Sequence, residues 1–229
     1  MATFASYKPE KVRLHVVAGK AFGLGAVTAL CVAILALSGS WHTTWPRLAL
    51  YTLSQCVFHT LEFFVTAIHN TEEVDDDSFI LGDQQLYYAF VASLIESPLK
   101  LRFFAYNHYY LIAGILVTLF GQTFRTLAMY TAGVSFNHHI QQQHAAKHTL
   151  VKSGVYGFSR HPSYFGYFWW FLGTQLLLQN WVVAVFGAIK LILFFRIRVE
   201  YEEKFLVSFF GAEYDSYRKS TPVRIPFVK

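Results

Sequence analysis

The stretch at 160–195 reads RHPSYFGYFWWFLGTQLLLQNWVVAVFGAIKLILFF and combines a short polar opening with two long apolar, aromatic-rich runs. Only Gln179-Asn180 separates the two runs, and a connection that short joins antiparallel neighbours. Charged side chains near such a hairpin, here Arg160 at its start and Arg198 and Glu202 beyond its end, are costly to bury without a function. The stretch therefore predicts two antiparallel membrane helices with polar groups of both signs at their ends.

Composition extends this prediction to the whole chain. Of the 229 residues, 54% are hydrophobic and only 14% are charged, whereas soluble domains carry about 25% charged residues. Apolar runs occupy residues 15–37, 46–68, 79–95, 109–134, 165–178 and 181–195. Each is read as one membrane helix, so we predict an all-α, polytopic integral membrane protein with about six transmembrane helices in a single domain, 1–229.

The placement of lysine and arginine predicts the orientation, because cytosolic loops are enriched in both. With the N-terminus in the cytosol, that side receives Lys8, Lys11, Arg13, Lys147, Lys152, Arg160, Arg198, Lys204, Arg218, Lys219, Arg224 and Lys229. The far side receives Arg47, Lys100 and Arg102, of which the last two run mildly against the rule. The asymmetry predicts six spans with both termini cytosolic, and the first apolar run is expected to be a membrane helix rather than a cleaved signal.

Several classes of function are disfavoured by the same sequence. The net charge of +5 is dispersed rather than striped, which favours cytosolic loops and anionic lipid over nucleic acid. Cys31 and Cys56 lie in apolar runs without a CxxC motif, so neither a disulfide framework nor a thiolate metal site is expected. One histidine cluster comprises His138, His139, His144 and His148. Membrane di-iron enzymes need several such boxes, and we expect no metal.

Three further patterns leave alternatives open. His59 and Glu62 in the second run and Lys190 in the sixth are functional suspects as intramembrane ionisable groups, or else an interhelical hydrogen bond and a snorkelling lysine. The acidic segment at 70–77 is a solvated loop or, less often, a binding element. Arg198 and Glu202 share one helical face at i, i+4, either as a surface ion pair or as groups facing a cavity.

The segment GVYGFSRHPSY at 154–164 lacks the lysine of a phosphate-binding P-loop. Its Tyr156 and Tyr164 are typical of residues at a membrane–water interface, and Arg160-His161-Pro162 in the same loop favours a site.

These strings together resemble the isoprenylcysteine carboxyl methyltransferases, membrane enzymes of the endoplasmic reticulum that methylate the C-terminal prenylcysteine of processed CaaX proteins. The resemblance covers GQTFRTLAMYTAGVSFNH, HTLVKSGVYGFSRHPSYFGYFWWFLGTQLLLQN and FFRIRVEYEEKFLVSFFGAEYDSYRKSTPVRIPF, from about Gly121 to the end, and more loosely FHTLEFFVTAIHN upstream. It implies N-terminal membrane helices at 1–120 and a catalytic, cofactor-binding half at 121–229 with a cytosol-facing site.

The resemblance also implies the site residues. S-adenosylmethionine contacts fall on Gln141, His148, Thr149, Leu150, Val151, Tyr156, His161, Pro162, Ser163, Tyr164 and Glu202. The substrate-contacting arginine falls on Arg198, and Arg198 and Glu202 are the expected catalytic pair. The chain departs from the family at Tyr201, where relatives carry a further glutamate.

The implied chemistry suits these residue types. The donor is a sulfonium cation, which the faces of Tyr156 or Tyr164 attract, and its product is S-adenosylhomocysteine. The acceptor α-carboxylate has a pKa near ~3.5 and is already ionised at neutral pH, so no general base is needed. Implied partners are membrane lipid and prenylated CaaX proteins such as small GTPases. A phospholipid N-methyltransferase, a membrane sterol reductase and a non-catalytic scaffold are the alternatives.

Overall fold

The computed structural model describes residues 8, 10–41, 43–100, 105–144 and 148–229, so Arg102 and Lys147 of the topology prediction lie outside the described residues. The α helices in these ranges are α1 (Leu14–Leu37), α2 (Thr44–His69), α3 (Gln84–Lys100), α4 (His108–Ala132), α5 (Val155–Phe158), α6 (Pro162–Leu178), α7 (Trp181–Phe210) and α8 (Ala212–Ser220). Short 3₁₀ turns follow α2 at Thr71–Glu73 and α4 at Gly133–Ser135. Every regular element in the described ranges is helical, which confirms the all-α prediction.

Each of the six apolar runs overlaps one long helix, although α7 continues to Phe210, beyond the run that ends at 195. Three of these helices, α1, α2 and α4, are long and apolar enough by themselves to cross a membrane. The helices α3 and α6 have 17 residues each, close to the lower limit for a span. Between α6 and α7 the chain reverses at Gln179-Asn180, where Gln179 adopts the left-handed conformation (φ 58°). The predicted hairpin is thus present, and crossing by all six long helices stays a prediction.

The third helix begins five residues later than the run at 79–95 predicts. Asp83 caps it, because Asp83 Oδ1 accepts hydrogen bonds from the backbone N–H groups of Gln85 (2.8 Å) and Leu86 (3.1 Å). Phe79 is buried in the preceding loop, where its ring stacks on Phe63 at a centroid distance of 4.2 Å. Phe79 therefore packs within the loop and is not part of the helix.

Helices α4 and α6 form an antiparallel pair whose backbones approach closely at glycines. A Cβ added to Gly121 would lie less than 3.0 Å from the backbone of Trp170 and of Gly166, and one added to Gly173 would meet Thr118 equally closely. Small residues permit such contact in membrane proteins, where dispersion between closely packed helices replaces the hydrophobic driving force. This close contact between α4 and α6 fixes the position of the first turn of α6.

The far-side cations Arg47 and Lys100 are buried around the carboxyl end of α6. Arg47 Nη1 donates to the carbonyl of Leu177 at 3.2 Å, and Lys100 Nζ donates to the carbonyls of Leu178 and Gln179. Cations at a helix C-terminus satisfy its unpaired carbonyls and favour its dipole. This structural role accounts for two of the three cations that the topology prediction assigns to the far side.

The C-terminal tail folds back onto α6 and α7. Val223, Ile225 and Val228 are buried in one cluster with Phe165, Phe168, Phe195 and Val199. The tail also contacts the segment that joins α5 to α6, because the backbone N–H of Arg160 donates to the carbonyl of Pro222 at 3.2 Å.

Candidate functional site

One cavity of about 840 Å³ opens between the start of α6, the second half of α7 and the segment after α4. Its lining includes every site residue implied by the resemblance: Gln141, His148, Thr149, Leu150, Val151, Tyr156, His161, Pro162, Ser163, Tyr164, Arg198 and Glu202. Its volume falls within the range of small-molecule sites. Residues far apart in the chain are therefore brought to one enclosed space, and their individual roles stay predictions.

Arg198 and Glu202 do face this cavity, but within the described residues they do not pair directly. Tyr164 lies between them: its hydroxyl donates to Glu202 Oε2 at 2.6 Å and accepts from Arg198 Nε at 2.7 Å. Arg198 Nη2 also donates to the carbonyl of His138 at 2.6 Å. The surface ion pair considered from the sequence is therefore wrong, and the cavity-facing alternative is the one observed.

A second carboxylate, Glu203, organises the Arg-His-Pro segment from behind. Arg160 Nε donates to Glu203 Oε1, and His161 Nε2 lies 3.1 Å from the same oxygen. Burial raises the pKa of Glu203, but the hydrogen bonds and positive charges of His161 and Arg160 lower it more, so that the pKa lies below its usual value. Glu203 therefore stays ionised, and it fixes the position of the His161 ring on the cavity wall.

The loop before α6 is held by the tail and by α8. Tyr217 Oη donates to the carbonyl of Tyr156 at 2.7 Å, and Ser159 Oγ donates to the carbonyl of Val223 at 2.7 Å. Burial and then the charge of Glu202 raise the pKa of Tyr156, which keeps its phenol protonated. Tyr156 thus presents a neutral aromatic side chain to the cavity.

Glu62, left open by the sequence, belongs to a buried interhelical network. Its two carboxylate oxygens accept from Arg125 Nε at 2.7 Å and Nη2 at 2.9 Å, and His138 Nε2 lies 2.7 Å from Oε2. Arg125 Nη1 donates to Ser163 Oγ. The network joins α2, α4 and α6 to the segment carrying His138, whose carbonyl holds Arg198.

The structure also shows the positions of the other residues whose roles the sequence left undecided. His59 is buried on α2, where Nδ1 lies 2.7 Å from the carbonyl of Phe79, so it fastens the loop before α3 instead of lining the cavity. Lys190 lines the cavity on α7. Tyr201, the departure from the family, is 42% exposed and accepts a hydrogen bond from Gln142 Nε2 at 3.1 Å.

The acidic segment fastens the amino end of α1. Arg13 pairs with Asp76, and Lys20 Nζ lies 3.3 Å from Asp77 Oδ1.

Of the histidine cluster, His144 packs against Phe209 at a centroid distance of 5.3 Å. Across the described ranges no group of three or more His, Cys, Asp or Glu side chains is arranged to hold a metal ion.

Two residues of the site escaped the sequence analysis as site candidates: Arg125 and Glu203. Arg125 lies within the apolar run at 109–134, where the rule that singled out Glu62 applies equally. Glu203 follows Glu202 directly, and a helical pattern alone does not decide which of two adjacent glutamates faces inward. In the fold, Glu202 reaches the cavity while Glu203 supports it from behind.

Comparison with known proteins agrees over almost the whole chain. The family model for the isoprenylcysteine carboxyl methyltransferase (ICMT) family matches residues 113–208. The chain is similar to the protein-S-isoprenylcysteine O-methyltransferase of Rattus norvegicus, with 39% identity over 97% of this chain and 78% of the rat protein. The enzyme of that name from Saccharomyces cerevisiae is 41% identical over 78% of this chain and 79% of its own length.

A solved structure, described as the eukaryotic intramembrane Ras methyltransferase ICMT, superimposes with a TM-score of 0.87 at 33% identity. The superposition covers 93% of this chain and 77% of that chain. The fold, the sequence similarity and the clustering of the implied site residues all support the same family assignment. The chain belongs to the isoprenylcysteine carboxyl methyltransferase family.

Proposed function

We propose that this membrane protein transfers the methyl group of S-adenosylmethionine to the C-terminal α-carboxylate of a prenylated cysteine and so forms a methyl ester. The observation that carries the proposal is the shared cavity in which Arg198 and Glu202 meet, with the hydroxyl of Tyr164 between them. The positive charge of Arg198 suits an anionic acceptor, and the negative charge of Glu202 suits a cationic donor.

The residues present fit a sulfonium donor. Glu202 supplies negative charge inside the cavity, and Tyr156 and Tyr164 supply aromatic faces that attract a cation. The segment 148–151 lines the same cavity. When bound, S-adenosylmethionine supplies the electrophilic methyl group, while Glu202, His161 and the tyrosines bind it and orient it.

Arg198 is the residue that binds the acceptor carboxylate in this proposal. Nε and Nη2 are engaged by Tyr164 and by the carbonyl of His138, whereas Nη1 makes no hydrogen bond within the described residues. One edge of the planar guanidinium therefore remains for a carboxylate, which charge-assisted hydrogen bonds orient. Because the carboxylate is ionised at neutral pH, the protein contributes positioning and exclusion of water rather than a base.

Part of the cavity lining is apolar and suits a farnesyl or geranylgeranyl chain. It is formed by Phe58, Ala89, Phe171, Val183, Phe186 and Leu191. We infer that the lipid enters sideways between the helices and that the donor arrives from the cytosol. Prenylated CaaX proteins, including small GTPases, are the proposed substrates, and the endoplasmic reticulum membrane is the proposed location.

The proposal is tested with purified protein in lipid, methyl-labelled S-adenosylmethionine and N-acetyl-S-farnesylcysteine, read as base-labile ester. Arg198→Ala is expected to lower kcat/KM by about a hundredfold or more, mainly through the prenylated substrate, because it removes the partner of a buried carboxylate. Glu202→Ala is expected to lose most activity through weaker donor binding.

Matched controls lie on the same helix. Arg196→Ala removes an exposed arginine, and Glu200→Ala removes an exposed glutamate that pairs with Lys204 at 3.6 Å. Both should retain activity. Full activity of folded Arg198→Ala and Glu202→Ala would overturn the assigned site, and label in phospholipid amine instead of ester would overturn the acceptor.

A further inference from the structure

Among the described residues, the hydroxyl of Tyr164 is the one polar atom that hydrogen-bonds to both Arg198 and Glu202. It donates to Glu202 Oε2 at 2.6 Å and accepts from Arg198 Nε at 2.7 Å. The two charged groups therefore lie no farther apart than the sum of these distances. They also sit one helical turn apart on α7, where side chains at i and i+4 are neighbours and opposite charges can pair directly.

A direct ion pair would be harmful in this position. In a partly enclosed cavity the attraction between opposite charges is much stronger than in water. Each group would neutralise the other, so that Arg198 would lose its edge for a carboxylate and Glu202 its charge for a cation. The site needs both charges close together and still separate.

The ring of Tyr164 is held where it can keep them separate. It stacks on His161 with centroids 5.4 Å apart and an interplanar angle of 4°, and on Phe195 with centroids 5.0 Å apart and an angle of 22°. His161 is fixed in turn by Glu203, and Phe195 is buried in the core of α6, α7 and the tail. The phenol thus enters between the two charges from α6 on a rigid support.

We propose that Tyr164 is a spacer that prevents Arg198 and Glu202 from collapsing into an ion pair while orienting both. Its single hydroxyl donates to the carboxylate and accepts from the guanidinium, so each charge keeps a hydrogen bond and its remaining edge stays open. The inference rests on the proposed function, since it assigns Arg198 to the acceptor and Glu202 to the donor.

The test measures two quantities separately: the KM for N-acetyl-S-farnesylcysteine in the ester assay, and the Kd for S-adenosylhomocysteine by calorimetry. Tyr164→Phe is expected to raise both by about ten- to a hundredfold, the usual effect of losing a hydrogen bond to a charged group. Tyr130→Phe, which removes an exposed hydroxyl from α4, is the matched control for loss of a phenol group.

The deciding variant is Tyr164→Phe combined with Glu202→Gln. Without the carboxylate no ion pair can form, so the double variant is expected to recover at least about fivefold in KM relative to Tyr164→Phe alone, as coupled neighbours do. The Kd for S-adenosylhomocysteine should stay weak. A role limited to folding would predict additive losses instead of this recovery.

Two results would overturn the spacer: unchanged KM and Kd in Tyr164→Phe, or a double variant with KM as poor as the single one. If Tyr164→Phe does not fold, Tyr164→Leu replaces it in the same comparison. Failure of the proposed function is distinct, because the unmodified protein would then form no ester at all.

Discussion

At the residue scale, the site depends on adjacent glutamates with different duties. Glu202 reaches the cavity, whereas Glu203 is buried with Arg160 and His161 behind it. Because the pKa of Glu203 is lowered in the folded protein, its stabilising effect is fully present above the pKa of the unfolded state, about 4.3. The effect is lost as pH falls through the lower pKa of the folded state.

Glu203→Gln is therefore expected to lower the free energy of unfolding at pH 7 on the order of 3 kcal/mol, since Arg160 is left buried with a neutral partner. As pH falls below about 4.3 towards the lower pKa of the folded state, the difference from the unmodified protein should shrink, because protonation progressively removes the charge of Glu203. Thermal unfolding in detergent between pH 3 and 8 measures this. Glu213→Gln is the control, since Glu213 pairs with Lys152 in solvent; an equal loss in both variants would contradict the argument.

At the scale of elements, the contact between α4 and α6 sets the position of the whole site, because α6 begins with the His161–Tyr164 segment. Gly121→Ala is expected to destabilise the protein by about 1–3 kcal/mol or more, since the added methyl group meets the backbone of Trp170 and cannot be relieved by rotating a side chain. The melting temperature in lipid or detergent and the ester assay should fall together.

Gly23→Ala in α1 is the control for the glycine itself. A Cβ there has no atom within 4 Å, and alanine favours a helix over glycine by about 1 kcal/mol. Stability should therefore be unchanged or slightly raised. If Gly121→Ala behaved in the same way, the close approach of α4 and α6 would not matter.

At the scale of the whole molecule, the six-span topology predicts that both termini face the cytosol. Single cysteines at Glu10 and Lys219, both exposed, should react with a membrane-impermeant thiol reagent in sealed, cytosol-outward vesicles. A cysteine at Gly39, exposed in the α1–α2 connection, should react only after permeabilisation. The native thiols Cys31 and Cys56 are buried and should contribute little background. Labelling of all three sites before permeabilisation would rule out this topology.

Most of the helices follow from the amino-acid sequence alone. Apolar runs of spanning length, separated by polar turns, allow few folds in lipid, since backbone hydrogen bonds must be satisfied within each helix. The sequence also placed Arg198 and Glu202 on one helical face and left open whether they face a cavity; their roles at the site came from the family resemblance.

Which of these groups come into contact depends on how the helices pack. Tyr164 separates Arg198 from Glu202 because α6 and α7 pack side by side, and no local pattern encodes that contact. Glu62 and Arg125 are 63 positions apart, and both oxygens of the carboxylate engage the guanidinium once α2 lies against α4. Helix formation depends on residues near in sequence, whereas the pairing of charges depends on which helix faces touch in space.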